Sequence, residues 1–325
     1  MTKISIIIPA YNAEKHIIKC LESIIINSKL NKLIEIIIIN DCSTDNTKNI
    51  VEEFILQHDD ITFTVINSIK NKGVSESRNI GIKKSKGKYI YFIDSDDTIN
   101  PNVLLEMYYH IEKYNEDYCM CRHVRINNDN NIFTDEVNYE KYSNINKNII
   151  NGNILEYPQL LRDTCCWVYL IRKDLLYNNN LKFIDVPLED ILFTYYLHHY
   201  GKKFGFINKI GYYYYDNSEG LTNKYTINDK KTIINNVLTV LKDDEIDEEY
   251  KFYVGYYSLL FLPFDYTYNI TNLINLYSVF YKTDNPKKFD IDNDEHLLIS
   301  LGDLLDRGPK PLECLNFINS IPDSC

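Results

Sequence analysis

Asp94, Asp96 and Asp97 place three carboxylates within four residues, directly behind the apolar run Tyr91-Phe92-Ile93. Like charges this close repel one another unless a cation, hydrogen bonds or open water relieve them. A hard divalent cation such as Mg2+ or Mn2+ prefers oxygen ligands and is often held by one or two carboxylates together with substrate phosphates. Asp94 and Asp96, with Ser95 between them, can supply that half-site. The plainer alternative is an acidic turn capping a helix that begins at Pro101. Asp41, in Asn40-Asp41-Cys42-Ser43-Thr44-Asp45, can accept hydrogen bonds from a base or ribose, and Asp45 fits the role of helix cap better. Arg78, in Gly73-Val74-Ser75-Glu76-Ser77-Arg78-Asn79-Ile80-Gly81, offers a fork of donors that suits a diphosphate, with a solvated surface arginine as the bland alternative. The neighbours Glu189 and Asp190 follow Pro187-Leu188. Adjacent carboxylates push one another's pKa upward, as a general base requires, although acids also open helices simply by complementing the dipole.

Regular elements must bring these residues together. Ile4 to Ile8, Leu33 to Ile39, Ile61 to Ile66 and Tyr89 to Ile93 are short, Ile-rich and bounded by polar residues, the pattern of buried strands. Helical spacing fills the gaps at Glu14 to Ile26, Asp45 to Leu56 and Val74 to Lys86. Strands alternating with helices predict right-handed crossovers and an α/β fold with a mostly parallel sheet. Open sheets of this kind bind ligands outside the carboxyl ends of their strands. Pro9-Ala10-Tyr11-Asn12, the Asp41 segment and the Asp94 segment all fall at such ends.

From Tyr118 to Asn153 the pattern weakens into an Asn- and Tyr-rich stretch, read as an extra strand pair and a variable loop. Cys165 to Leu170 is an apolar run, Leu188 to His199 a helix, and Phe204 to Ile207 with Gly211 to Tyr215 a closing pair of strands. Beyond Tyr225 the pattern turns helical, which sets the expected domains at 1–225 and 226–325.

The formal charge of −11, from 35 basic and 46 acidic residues, argues against a nucleic-acid partner. No basic leader precedes the Ile4 strand, and no apolar stretch is suited to span a bilayer, so the expected location is cytoplasmic. Peripheral contact with a membrane and homo-oligomerisation stay open. The eight cysteines lack the paired spacing of a zinc module, so free thiols are expected.

Five segments in order resemble the inverting family 2 glycosyltransferases of GT-A fold: Ile6-Ile7-Ile8-Pro9-Ala10-Tyr11-Asn12, Asn40 to Asp45, Asn71 to Gly81, Phe92 to Asp97, and Glu189-Asp190. The resemblance covers roughly the first 225 residues. It implies a Rossmann-like sheet flanked by helices, and a metal-dependent transfer of sugar from a nucleotide-sugar, a UDP-sugar by preference, to a glycan or glycolipid acceptor. It implies nucleotide contacts from Pro9, Tyr11, Asn12, Asp41, Asn71, Arg78, Asp94 and Ser95. Asp96, with Asp94, would hold Mn2+ or Mg2+. Asp190 would be the base and Glu189 its support, while Asp97 reads as structural. Tyr169 stands where many relatives carry Lys, so no role passes to it.

The tail resembles another family. Gly302-Asp303-Leu304-Leu305-Asp306-Arg307-Gly308 is similar to a segment of calcineurin-like metallophosphoesterases, in which Asp303 would bridge two metals and Arg307 meet phosphate. Asp265 fits an upstream ligand position of that family, but Thr267 occupies its histidine position. The reading is a partial phosphoesterase-like segment within a mainly helical appendage, with phosphoesterase activity or a non-catalytic binding module as the alternatives to sugar transfer.

Overall fold

A computed structural model describes residues 2–127, 132–133 and 149–217, together with 237, 239–247, 250–251 and 254. The chain divides into two compact units, residues 1–233 and 234–325. The second unit includes helical positions at Val237, Thr239, Val240, Leu241, Tyr250, Lys251 and Val254. The tail segment with Asp265, Thr267, Asp303 and Arg307 lies outside the described residues.

In the first unit the Ile-rich runs become strands because both faces of the sheet are covered, so unbroken apolar sequence is tolerated. Strands β1 (Ile4–Ala10) and β2 (Ile34–Asn40) are buried at every position. Between them lie α1 (Ile17–Ile25), which buries Ile17, Cys20, Leu21 and Ile24 along one stripe, and the short α2 (Ser28–Asn31). Helix α3 (Thr47–Leu56) leads to β3 (Thr62–Asn67), which is only half covered because it forms the sheet's margin. Helix α4 (Gly73–Lys84) then leads to β4 (Tyr89–Phe92), buried throughout. The four strands pair in parallel in the order β3-β2-β1-β4, with Ile7 opposite Ile37 and Phe92.

The two-residue β5 (Thr98–Ile99) precedes α5 (Pro101–Tyr114), which starts with Asn100 capping the Asn102 amide and Pro101 at the first position, and ends on left-handed Asn115. The Tyr-rich region supplies β6 (Tyr118–Ile126), β7 (Ile132–Phe133) and β8 (Ile149–Gly152). Cys166–Val168 form a 3-10 turn into β9 (Tyr169–Arg172), followed by α6 (Lys173–Asn178), α7 (Glu189–Tyr200) and β10 (Phe204–Tyr215). The sheet continues β4-β9-β6-β10-β5, with β7 on β6 and β8 on β10. Strand β9 runs antiparallel to both β4 and β6, and β6 and β10 are parallel, so this half of the sheet is mixed.

One element differs from the sequence reading. Phe204–Tyr215 is one strand, not a pair: the register against β6 shifts between Ile207 and Ile210 and again before Tyr212, so Asn208 and Lys209 are absorbed as an irregularity and the chain never turns back. Among the described residues, no helix is long and apolar enough to cross a membrane. Among the described residues, Cys20, Cys42, Cys119, Cys121, Cys165 and Cys166 stand outside disulfides.

Candidate active site

Three loops meet at the carboxyl ends of β1, β2 and β4, and side chains rather than regular structure lace them together. After β1, Asn12 adopts a left-handed conformation (φ 51°), and its Oδ1 accepts from the Thr44 amide at 2.8 Å. Asp45 accepts from the amides of Thr47 (3.0 Å) and Glu14 (3.1 Å), serving as the cap of α3 and as a tie to the first loop. Pro9 is buried within β1, opposite Ile39, while Tyr11 is half exposed at the rim.

Asp41 is buried and accepts from the amides of Lys72 (2.9 Å) and Gly73 (2.8 Å); Asn71 Oδ1 also accepts from the Gly73 amide, at 3.1 Å. The predicted nucleotide residues 41 and 71 thus shape one loop at the start of α4. A carboxylate has about four acceptor sites, so these bonds leave Asp41 capacity for a ligand donor.

The acidic cluster divides by environment. Asp97 is fully buried, accepting from the Tyr212 hydroxyl at 2.7 Å and the Tyr215 amide at 2.8 Å. The same hydroxyl accepts from the Asp94 amide at 3.1 Å. Asp97 therefore fixes the turn, as its structural reading implied. Burial raises its pKa well above the carboxylate range, with Asp96 and Asp94 adding to the rise and the bonds from Tyr215 and Tyr212 opposing it. Asp94, Ser95 and Asp96 are half-buried. Asp96 accepts from the Asn217 side chain at 2.9 Å, and its pKa is raised, by burial first and further by Asp94, against the lowering effect of that bond. Two half-open carboxylates of oxygen-only donor type, whose mutual repulsion a cation would relieve, fit a Mg2+ or Mn2+ half-site.

Arg78 occupies the centre. Its side chain is 4% exposed and rests over the Phe183 ring at 5.1 Å. Nη2 donates to Asp94 Oδ1 at 2.8 Å, Nη1 donates to Glu189 Oε1, and Nε has no partner among the described residues. The resemblance points Arg78 at the nucleotide or its diphosphate; the structure engages both terminal nitrogens with carboxylates, joining Asp94 to the Glu189-Asp190 pair. Glu189 is buried and opens α7 behind Leu188, which is itself left-handed at φ 55°. Asp190 follows it, with a pKa raised to about 8: burial is the main cause, Glu189 and Asp94 add to it, and Arg78 opposes it. That places it near neutral pH, as a proton acceptor requires.

Sequence reasoning missed Asn217, Phe183 and Tyr212 as parts of the site. Strand alternation was the available signal for the tyrosines: Tyr212 and Tyr214 fall on one face of β10, where both stack on Trp167, with centroids 4.1 and 6.0 Å away.

The curled mixed sheet flanked by helices has the GT-A fold of the glycosyltransferase structures it resembles. The chain belongs to glycosyl transferase family 2, whose profile matches residues 5–176, more than half of its length. It is 35% identical over 131 residues to the glycosyltransferase GlyA of Streptococcus pneumoniae, a match covering 40% of this chain and 18% of that protein. The chain therefore spans under a fifth of that relative's length. In structure it is similar to residues 1–349 of S. aureus TarS in complex with UDP-GlcNAc (TM-score 0.66, 21% identity, 95% of this chain and 82% of that one). It is also similar to the mannosyltransferase PcManGT of Pyrobaculum calidifontis in complex with GDP-Man and Mn2+ (TM-score 0.61, 13% identity, 98% and 79%).

Proposed function

We propose that the protein is a metal-dependent, inverting glycosyltransferase that moves a sugar from a UDP-sugar to an acceptor hydroxyl of a glycan, glycolipid or protein-linked sugar. The observation that carries this reading is the convergence, through Arg78, of the Asp94/Asp96 half-site with the Glu189-Asp190 pair, whose second member has a pKa near neutrality. The complexes of TarS with UDP-GlcNAc and of PcManGT with GDP-Man and Mn2+ support the donor class and the cation.

Asp190 removes the proton from the acceptor hydroxyl, which attacks the anomeric carbon from the face opposite the nucleotide and so inverts its configuration. Glu189, held by Arg78, fixes the first turn of α7 and with it the direction of Asp190. Asp96 and Asp94 would hold Mn2+ or Mg2+, which when bound supplies Lewis-acid neutralisation of the diphosphate leaving group. The loops pinned by Asn12, Asp41 and Asn71 form the walls against which base and ribose bind, with Tyr11 at the rim.

The test is UDP release from a panel of UDP-sugars with and without Mn2+, for the native chain and for Asp96→Ala and Asp190→Asn. Metal-dependent release lost in both variants is expected. Turnover unaffected by either substitution, or equal in the presence of excess chelator, would overturn the proposal.

A further inference from the structure

At the edge of the sheet opposite the carboxyl cluster, α5, β6 and β10 enclose three side chains that sugar transfer does not use. His110 lies near the end of α5, Glu116 follows the left-handed Asn115 that terminates it, and Cys119 is the second residue of β6. All three are buried, Glu116 and Cys119 completely. His110 Nδ1 and Glu116 Oε2 are 2.9 Å apart, and one donor atom from each of the three residues falls within 4.8 Å of the other two.

A histidine–glutamate hydrogen bond does not account for the cluster. It satisfies one nitrogen and one oxygen, whereas His110 Nε2 and Glu116 Oε1 are buried with no partner among the described residues. Native structures rarely leave such atoms without a reason, and an unfilled ligand position is one. Among the described residues, Cys119 Sγ has the Met120 carbonyl as its hydrogen-bond partner, at a long 4.0 Å that holds the thiol weakly. The backbone makes room for the group as well. A Cβ on Gly205 would stand 2.7 Å from His110 Nδ1 and overlap Glu116 Oε2, so the start of strand β10 admits the cluster only because it carries glycine.

Imidazole nitrogen, thiolate and carboxylate are the donors zinc takes, whereas the oxygen-only pair Asp94 and Asp96 suits harder ions. Glu116 binding through both oxygens would bring the donor count to four and use the orphaned Oε1. The charges also close: one thiolate and one carboxylate neutralise a dication, so the buried complex carries no net charge. Binding releases the Cys119 thiol proton to solvent, while the neutral imidazole of His110 keeps its one N–H. We propose that His110, Glu116 and Cys119 form a structural site for a thiolate-accepting divalent ion, zinc by its donor set, that fastens the end of α5 to the start of β6 beside β10.

Cobalt(II) is the probe, because it substitutes for zinc, which is spectroscopically silent, and gives a sulfur-to-cobalt charge-transfer band in the near ultraviolet only when a thiolate is a ligand. The full chain is reconstituted with cobalt and desalted, alongside Cys119→Ser and Glu116→Gln. The expected result is a charge-transfer band in the native chain, lost in Cys119→Ser and weakened in Glu116→Gln. Cobalt held by Asp94 and Asp96 has no sulfur ligand and contributes nothing to that band, so the two sites are told apart even if the proposed sugar transfer is itself mistaken. Absence of the band from the native chain, which needs no variant to fold, overturns the site, as does a band that survives Cys119→Ser.

Discussion

Arg78 Nη2 lies 2.8 Å from Asp94 Oδ1 while Nη1 of the same guanidinium holds Glu189, 111 positions further along the chain, so one buried arginine ties the end of β4 to the start of α7. Removing it strands two carboxylates, one of them buried, without their counter-charge. Breaking a buried pair from one side costs about 3–5 kcal/mol. Arg78→Gln should lose stability of that order in chemical denaturation. Arg78→Lys should recover only part of it, since a point charge cannot fork to two acids. In a double-mutant cycle, Glu189→Gln added to Arg78→Gln should cost less than the sum of the two single changes.

The raised pKa of Asp190 gives a pH dependence with opposite signs for activity and stability. Only the ionised carboxylate accepts a proton, so kcat/KM, which reports groups of the free enzyme, should rise as pH increases through about 8. Asp190→Asn should abolish that limb and reduce turnover by about 10²–10⁴-fold. Stability runs the other way. Between the ordinary carboxylate value of about 3.9 and the native value, the folded state keeps a proton that the unfolded chain has lost, so this group's contribution falls as pH rises through that window. Denaturation of the native chain and of Asp190→Asn at several pH values should show a shallower decline in the variant.

The strands were legible wherever burial on both faces allowed an uninterrupted Ile run, as in β1 and β2, because nothing else in so short a stretch accounts for that composition. Strand β10 read as two pieces because Lys209 and Gly211 look like a turn, and only pairing with β6 shows that the chain continues. Asp41, Asp94, Asp96, Glu189 and Asp190 were legible from residue type at element ends. Their couplings were not. Asn217 meets Asp96 across 121 positions and Arg78 meets Glu189 across 111, and no local pattern encodes contacts made by the closing of the sheet.

Asn217 offers a test of the cation site that leaves both proposed ligands in place. Its amide donates to Asp96 Oδ2 at 2.9 Å and so orients the carboxylate. Losing a group that orients a metal ligand costs about 10–100-fold in metal affinity or activity. Asn217→Ala should therefore raise the Mn2+ concentration needed for half-maximal UDP release by that factor, with little change once the ion is saturating. A variant whose metal dependence is unchanged would show that Asn217 does not orient a cation ligand.

Gly81 lets α4 lie directly on β1, and so sets the depth from which Arg78, three residues earlier, reaches the site. A Cβ at this position would overlap Ile7 Cγ2, a side chain buried at the centre of the parallel strands. Gly81→Ala should cost about 1–3 kcal/mol by overpacking, read as a lower denaturation midpoint. It should also lower kcat/KM, because displacing the helix by about 1 Å moves the guanidinium away from its two acids, and misplacement on that scale can cost about 10²-fold. Ile7→Ala alone should destabilise by about 2–5 kcal/mol through the cavity it leaves. Combined, the alanine at 81 occupies part of that cavity, and the double variant should be more stable than the sum of the single effects predicts. Simple additivity of the two would mean that α4 and β1 do not share this contact in solution.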